Sequence, residues 1–238
     1  AQTERYVLTL REGRKPAPGW RLSETVNITR AILSPRAARG ASYVVADPYF
    51  ARVHELKAWR GKEAVESAAV VHLTPPSADV FLSSFRLYRI DFGVPRVGEK
   101  LHHRFQRRYA GLAFLPSYTI GTVDRVERFE LLVHHPRDVR VDFDLQLPKT
   151  VSKPRIVRKE SSTQLVFSDV PRIEALPYLP ASHQFVRVRP RFSRGGQVLG
   201  PVGAKALGGW YGQQLHRLVK ISKRETLRAK ALVKGASS

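Results

Sequence analysis

The decapeptide DVRVDFDLQL, residues 138–147, leaves little choice of local structure. Val139, Val141, Phe143, Leu145 and Leu147 fall on one side of an extended chain, and Arg140, Asp142, Asp144 and Gln146 fall on the other. A period of two gathers the apolar side chains onto one face of a strand, whereas a helix would spread them around its axis. KLHHRFQRRY, residues 100–109, repeats the pattern with Leu101, His103, Phe105 and Tyr109 on one face and Arg104 and Arg108 opposite. RFELLVHH, residues 128–135, does so with Phe129, Leu131 and Val133. Shorter runs (RYVLTL, ETVNITRAIL, SYVVA, ARVHELKAW, EAVESAAVVHL, FRLYRIDF, TQLVF) are weaker candidates, separated by turn formers such as RKPAPG, TPPSAD, VPRVG and HHPRD. Sixteen Gly and sixteen Pro supply that punctuation. About ten short strands at such spacing predict a mainly β fold, an antiparallel β-sandwich.

The end of the chain reads differently. Leu207, Tyr211, Leu215, Leu218 and Ile221 recur at spacings of three and four, which predicts an amphipathic C-terminal helix. The expected organisation is a sandwich over residues 1–195 with a possible subdivision near 150, a Gly-rich linker at 196–206, and the helix within 207–238. Leu207, Trp210, Tyr211, Leu215 and Leu218 form its candidate interdomain face. No run approaches the eighteen or so apolar residues that cross a bilayer as a helix. The opening Ala1-Gln2-Thr3, with no Met anywhere, suits cleavage after a leader peptide and so an exported, periplasmic or envelope-associated protein.

Charge is the second constraint. The 41 Lys and Arg against 20 Asp and Glu leave +21, and residues 151–238 hold 17 of those cations against 4 acids. Such a surface attracts acidic polymers through its field and through counterion release. The candidate polyanion contacts are Lys153, Arg155, Arg158, Lys159, Arg187, Arg189, Arg191 and Arg194, with Lys220, Lys223 and Arg224 on the helix. In an exported protein an anionic envelope glycan or lipid headgroup ranks ahead of nucleic acid. Phe105 and Tyr109 could stack on bases, but they share a strand face with Leu101 and are expected in the core.

Catalytic constellations are not evident. With no cysteine there is neither disulfide nor thiol nucleophile. His102-His103 and His134-His135 sit on strands, where neighbours point to opposite faces, so neither pair chelates one ion. Asp142 and Asp144 share a face with Arg140, as a solvated strand exterior would. Asp124, Glu127 and Glu130, interleaved with Arg125 and Arg128, read as cross-strand charge pairing more than as an acid/base pair. GGQVLGPVG lacks the Lys and Ser/Thr of a phosphate-cradling loop. No cofactor, no metal site and no enzymatic activity are expected of these residues.

Three stretches, taken together and in order, carry a resemblance. They are RIDFGVPRVGEKLHHRFQRRY at 89–109, DVPRIEALPYLP at 169–180 followed by HQFVRVRPRFS at 183–193, and WYGQQL at 210–215 leading to AKALVKGASS. In this order the chain resembles the all-β domain of unknown function that precedes transglutaminase-like domains in exported bacterial proteins. The resemblance implies a non-catalytic accessory domain that positions or selects substrates for a C-terminal thiol enzyme domain, whose cysteine, histidine and aspartate have no counterparts here. It makes that domain the expected partner. A polyanion-binding module is the alternative.

Overall fold

The computed structural model describes residues 1–13, 19–38, 41–47, 51–65, 70–72, 86–109, 111–122, 124–174, 184–200 and 208. The chain divides into two compact units, Ala1–Leu199 and Gly200–Ser238. Strands are numbered in chain order. The largest sheet holds β1 (Gln2–Gly13), β2 (Gly19–Ala31), β4 (Ala51–Arg60), β5 (Glu63–Val65), β8 (Lys100–Tyr109), β10 (Val126–His134), β12 (Arg155–Lys159) and β13 (Ser162–Val170). Their order is β12-β13-β10-β1-β2-β8-β4-β5. A second sheet comprises β9 (Tyr118–Ile120), β11 (Val139–Gln146), β14 (Val186–Arg194) and β15 (Gln197–Val198), and a third β3 (Ser42–Asp47), β6 (Val70–His72) and β7 (Arg86–Asp91).

The alternating segments fold as their pattern requires. Phe129, Leu131 and Val133 are fully buried, as are Val139, Val141, Leu101 and Phe105. The apolar face of the large sheet is covered in two places. Leu8, Leu10, Phe129, Leu131, Val133, Leu165 and Phe167 pack with Ile120, Val141, Val186, Val188 and Phe192 of the second sheet. Val26, Ile28, Ala58, Leu101 and Phe105 pack with Ala41, Val45 and Ile90 around the third. Tyr6 touches both clusters, so β1 runs beneath the seam between them.

One expectation needs correction. Pairing is not antiparallel throughout: β1 lies between β2 and β10 and runs parallel to β10, from Thr3 opposite Arg128 to Thr9 opposite His134. An N-terminal strand inserted there brings Glu4, Tyr6, Leu8 and Leu10 onto the same buried face as Phe129, Leu131 and Val133, and that burial outweighs the slightly weaker parallel ladder. Strand pairing crosses residue 150 in two of the three sheets, β10 with β13 in the large sheet and β11 with β14 in the second. Gln197 and Val198 of the expected linker belong to β15. Leu207, Trp210, Tyr211, Leu215 and Leu218, with the helix cations Lys220, Lys223 and Arg224, lie outside the described residues.

Candidate functional site

The antiparallel registers of β1, β2 and β8 stack polar groups in rows on the face that should be apolar. Glu4 lies opposite Ile28, which lies opposite His103; Tyr6 opposite Val26, opposite Phe105; Leu8 opposite Glu24, opposite Arg107. Leu10, Leu22 and Tyr109 complete the series. The polar members collect at the seam, where neither small sheet supplies a continuous apolar cover. Tyr118 arrives from the second sheet and Tyr43 from the third.

Glu24 is the centre of one network. Its side chain has no exposure to solvent, and Arg107 stands 3.6 Å from Oε2. Tyr109 donates to Oε2 and Tyr118 to Oε1, each at 2.7 Å. Burial disfavours the Arg107 cation, but the Glu24 carboxylate, Tyr109 and Tyr43 together outweigh it and the net shift is upward. Arg107 also donates to the Ala46 carbonyl at 3.3 Å and lies over the Phe105 ring at 4.8 Å. Burial, then Glu24, push the Tyr118 and Tyr109 hydroxyls well above their ordinary range, so both remain donors at any physiological pH.

Beside it opens a cavity of about 260 Å³, lined among others by Glu4, Tyr6, Tyr43, Phe92, His103 and the Arg30–Asp124 ion pair. Glu4 accepts from Gln2 Nε2 at 2.7 Å and from the Tyr6 hydroxyl at 2.8 Å. Burial raises its carboxyl above the usual range, with those two donors opposing. Burial also pushes His103 down to about 3 and Tyr43 up to about 12. His103 is therefore a neutral imidazole, stacked at 3.9 Å on Tyr43, and its Nε2 is buried without a hydrogen-bond partner. Asp124 is held by Arg30 at 2.7 Å. Gly121, at φ +81°, brings its Cα so close to the chain that a Cβ would stand 2.8 Å from the Pro171 carbonyl.

The structure brings Arg187, Arg189 and Arg191 together on one face of β14, where the first two line a shallow concavity with Ser117 and Asp144. It spreads the other described cations singled out from sequence over different faces. Arg155 and Lys159 pair with Val166 and Ser162, placing them on the outer face of the large sheet, while Lys153 is exposed just ahead of that strand. Arg158 turns to the other side and meets Asp142 at 3.3 Å. Arg187, Arg189 and Arg191 alternate with buried Val186, Val188 and Pro190, so they point outward from the second sheet. Arg191 pairs with Asp144, and Arg194 with Asp138 and Glu12. The suspected carboxylates do not meet: Asp124 lines the cavity, Glu127 is exposed, and Glu130 is held by Arg5, Arg128 and Gln164. Among the described residues no group of three His, Asp or Glu could hold a metal.

A different basic groove, of about 1180 Å³, crosses the outer face of β1, β2 and β8. It sets Arg11 directly opposite Arg21 and Arg108 opposite Ser23, with His134 opposite Thr9. Sequence reading missed this groove and the Glu4–His103 cavity alike. Yet the cavity and the network beside it had a visible signal: Glu4 and Glu24 occupy inward positions of alternating strands, where an acid stands out.

No protein-family model matches the chain, and no curated protein matches it. Solved structures do. The chain is similar to a candidate protease from Parabacteroides distasonis ATCC 8503, with a TM-score of 0.53 and 9% identity over 79% of this chain and 40% of that one. A candidate nutrient-binding protein from Legionella pneumophila gives 0.39 at 10% identity, over 79% of this chain and 65% of that one. An M1 zinc metallopeptidase from Deinococcus radiodurans gives 0.32 at 13%, over 79% and 42%. Of these three, the first is similar enough to speak of a shared fold. The chain spans 40% of that protein's length.

Proposed function

We propose that the chain is a non-catalytic β accessory domain of an exported bacterial protein that also carries a transglutaminase-like thiol enzyme domain, for which it positions or selects substrate. In this reading the two smaller sheets form the second layer of a β-sandwich over the large one. The observation that carries it is the fold shared with a candidate protease of which the chain spans 40%, a length that leaves room for a separate catalytic unit. The ordered resemblance of residues 89–109, 169–193 and 210–215 points to the same arrangement. The acids and imidazoles at the seam support it too, since Glu24 and Asp124 are held by arginines rather than free to move protons. The test is turnover of labelled casein and of an amine acceptor by this chain and by the whole product of its gene. Turnover by the whole product alone, abolished by iodoacetamide, is expected. Turnover by the 238-residue chain itself, which has no thiol to alkylate, overturns the reading.

A second reading, recognition of an acidic polymer, has one specific observation in its favour. Arg11 and Arg21 are cross-strand neighbours, a like-charge juxtaposition that costs stability. Neither they nor Arg108 has an acidic partner among the described residues, which leaves three planar donor sets for phosphate, sulfate or carboxylate oxygens. Binding of a heparin-like glycan and of anionic vesicles across a salt series tests it. Affinity that survives about 0.15 M salt and falls in Arg11→Ala/Arg21→Ala supports the reading; attraction that vanishes at that salt refutes it.

A further inference from the structure

Three glutamates among the described residues are buried: Glu4, Glu24 and Glu130. Two of them have cations at hand. Glu24 faces Arg107, and Glu130 faces Arg5 at 3.4 Å and Arg128 at 3.2 Å. Glu4 has neutral donors only, the Gln2 amide and the Tyr6 hydroxyl, and the nearby Arg30 is committed to Asp124. A buried carboxylate without a counter-charge is a costly arrangement that folded proteins otherwise avoid.

Glu4 is also the one of the three that lines the cavity, and what surrounds it there is specific. Tyr6, Tyr43 and Phe92 supply aromatic walls, and the neutral His103 ring adds a further one. The volume of about 260 Å³ is just below the roughly 300–1,000 Å³ of drug-sized sites. Aromatic faces attract a cation through their quadrupoles, and a carboxylate neutralises it. A metal ion would want a tighter set of ligands, and among the described residues no three His, Asp or Glu lie close enough to hold one.

We propose that the cavity between Glu4 and His103 binds a small organic ammonium group, with Glu4 as its counter-ion and the Tyr6, Tyr43 and Phe92 rings as its walls. The ligand is either a free alkylamine or the ammonium of a peptide, carried by a lysine side chain or a chain N-terminus. This goes beyond the accessory-domain reading and does not depend on it, because the site is lined by β1, β2, β3, β8, β9, Phe92 after β7, and Gly121, Thr122, Asp124 and Val126 up to the start of β10.

Titration calorimetry of the full chain with n-butylamine tests the site, with 1-butanol as a neutral analogue of the same shape. Saturable one-to-one binding of the amine, and none of the alcohol, is expected. Glu4→Gln should weaken the amine by about tenfold or more, the value of a charge-assisted hydrogen bond, whereas Glu130→Gln should leave it unchanged. Ser42→Phe narrows the cavity without touching Glu4 and should abolish binding, which keeps the test alive if the Glu4 variant does not fold. N-acetyl-lysinamide and glycinamide then tell the sources apart: preference for either over butylamine assigns a peptide ammonium, and preference for butylamine assigns a free amine. No saturation by any amine up to about 20 mM, equal binding of 1-butanol, or retained binding in Glu4→Gln or Ser42→Phe overturns the proposal.

Discussion

Arg107→Met isolates the electrostatic stake at the seam. The variant keeps the aliphatic bulk but leaves the Glu24 carboxylate, whose side chain is wholly buried, with two tyrosine donors and no cation. Removing one partner of a buried pair costs about 3–5 kcal/mol, a large share of the roughly 5–15 kcal/mol that holds a domain together. Glu24→Gln is milder, about 1–2 kcal/mol, because Arg107 is 23% exposed, can turn toward water and keeps its bond to Ala46. The double variant removes both charges while the glutamine carbonyl still accepts from one tyrosine, at a cost of about 1.5–3 kcal/mol. The two substitutions together should therefore destabilise less than Arg107→Met alone, by about 1–2 kcal/mol. Urea unfolding at pH 7 followed by near-UV circular dichroism measures all three. A double variant whose loss equals the sum of the singles would refute the reasoning, because it would mean that the carboxylate is solvated without its arginine.

Other expectations follow from the same geometry. Tyr118→Phe removes one donor to Glu24 and should cost about 1.5–3 kcal/mol in urea unfolding, the value of a hydrogen bond to a charged group. Gly121→Ala places a methyl 2.8 Å from the Pro171 carbonyl at a φ that only glycine adopts freely, so a loss of about 2–4 kcal/mol is expected in the same assay. His103 titrates near 3 in the fold and near 6.5 when unfolded, so the stability it confers is complete above pH 6.5 and drains away as pH falls toward 3. At pH 4.5 the loss should be about 2–3 kcal/mol, and His103→Phe should lack that part of the acid sensitivity in a pH series of urea melts.

How far the sequence revealed this architecture depended on the range over which each feature is decided. Val139 and Val141, Phe129 to Val133, and Leu101 to Phe105 could be assigned to a buried face because alternation is local and survives any arrangement of strands. His103 even fell on that face by parity alone. The parallel insertion of β1 beside β10 could not be read, since it joins residues more than a hundred positions apart and nothing in either strand names the other. The dispersal of Arg155 to Arg194 was hidden for a related reason: proximity in sequence says nothing about which layer a cation faces. Arg158 and Lys159 are adjacent and face opposite ways.

The seam ties these observations to one cause. The large sheet contributes to two separate hydrophobic clusters, one shared with the second sheet and one with the third, and the line between them passes Tyr6 of β1, which touches both. Close packing cannot be continuous along such a line, and polar side chains are tolerated there only if they satisfy one another. Around Glu24 both carboxylate oxygens are taken, by Arg107 and two tyrosines, although Arg107 Nε is itself buried without a partner. Around Glu4 the partners stop one charge short, beside a cavity and an imidazole with a free nitrogen. The two networks form at the same boundary, and Glu4 differs from Glu24 in having neutral donors only, the Gln2 amide and the Tyr6 hydroxyl, beside an open cavity. That is the place where a bound ammonium would supply the cation that Arg107 supplies to Glu24.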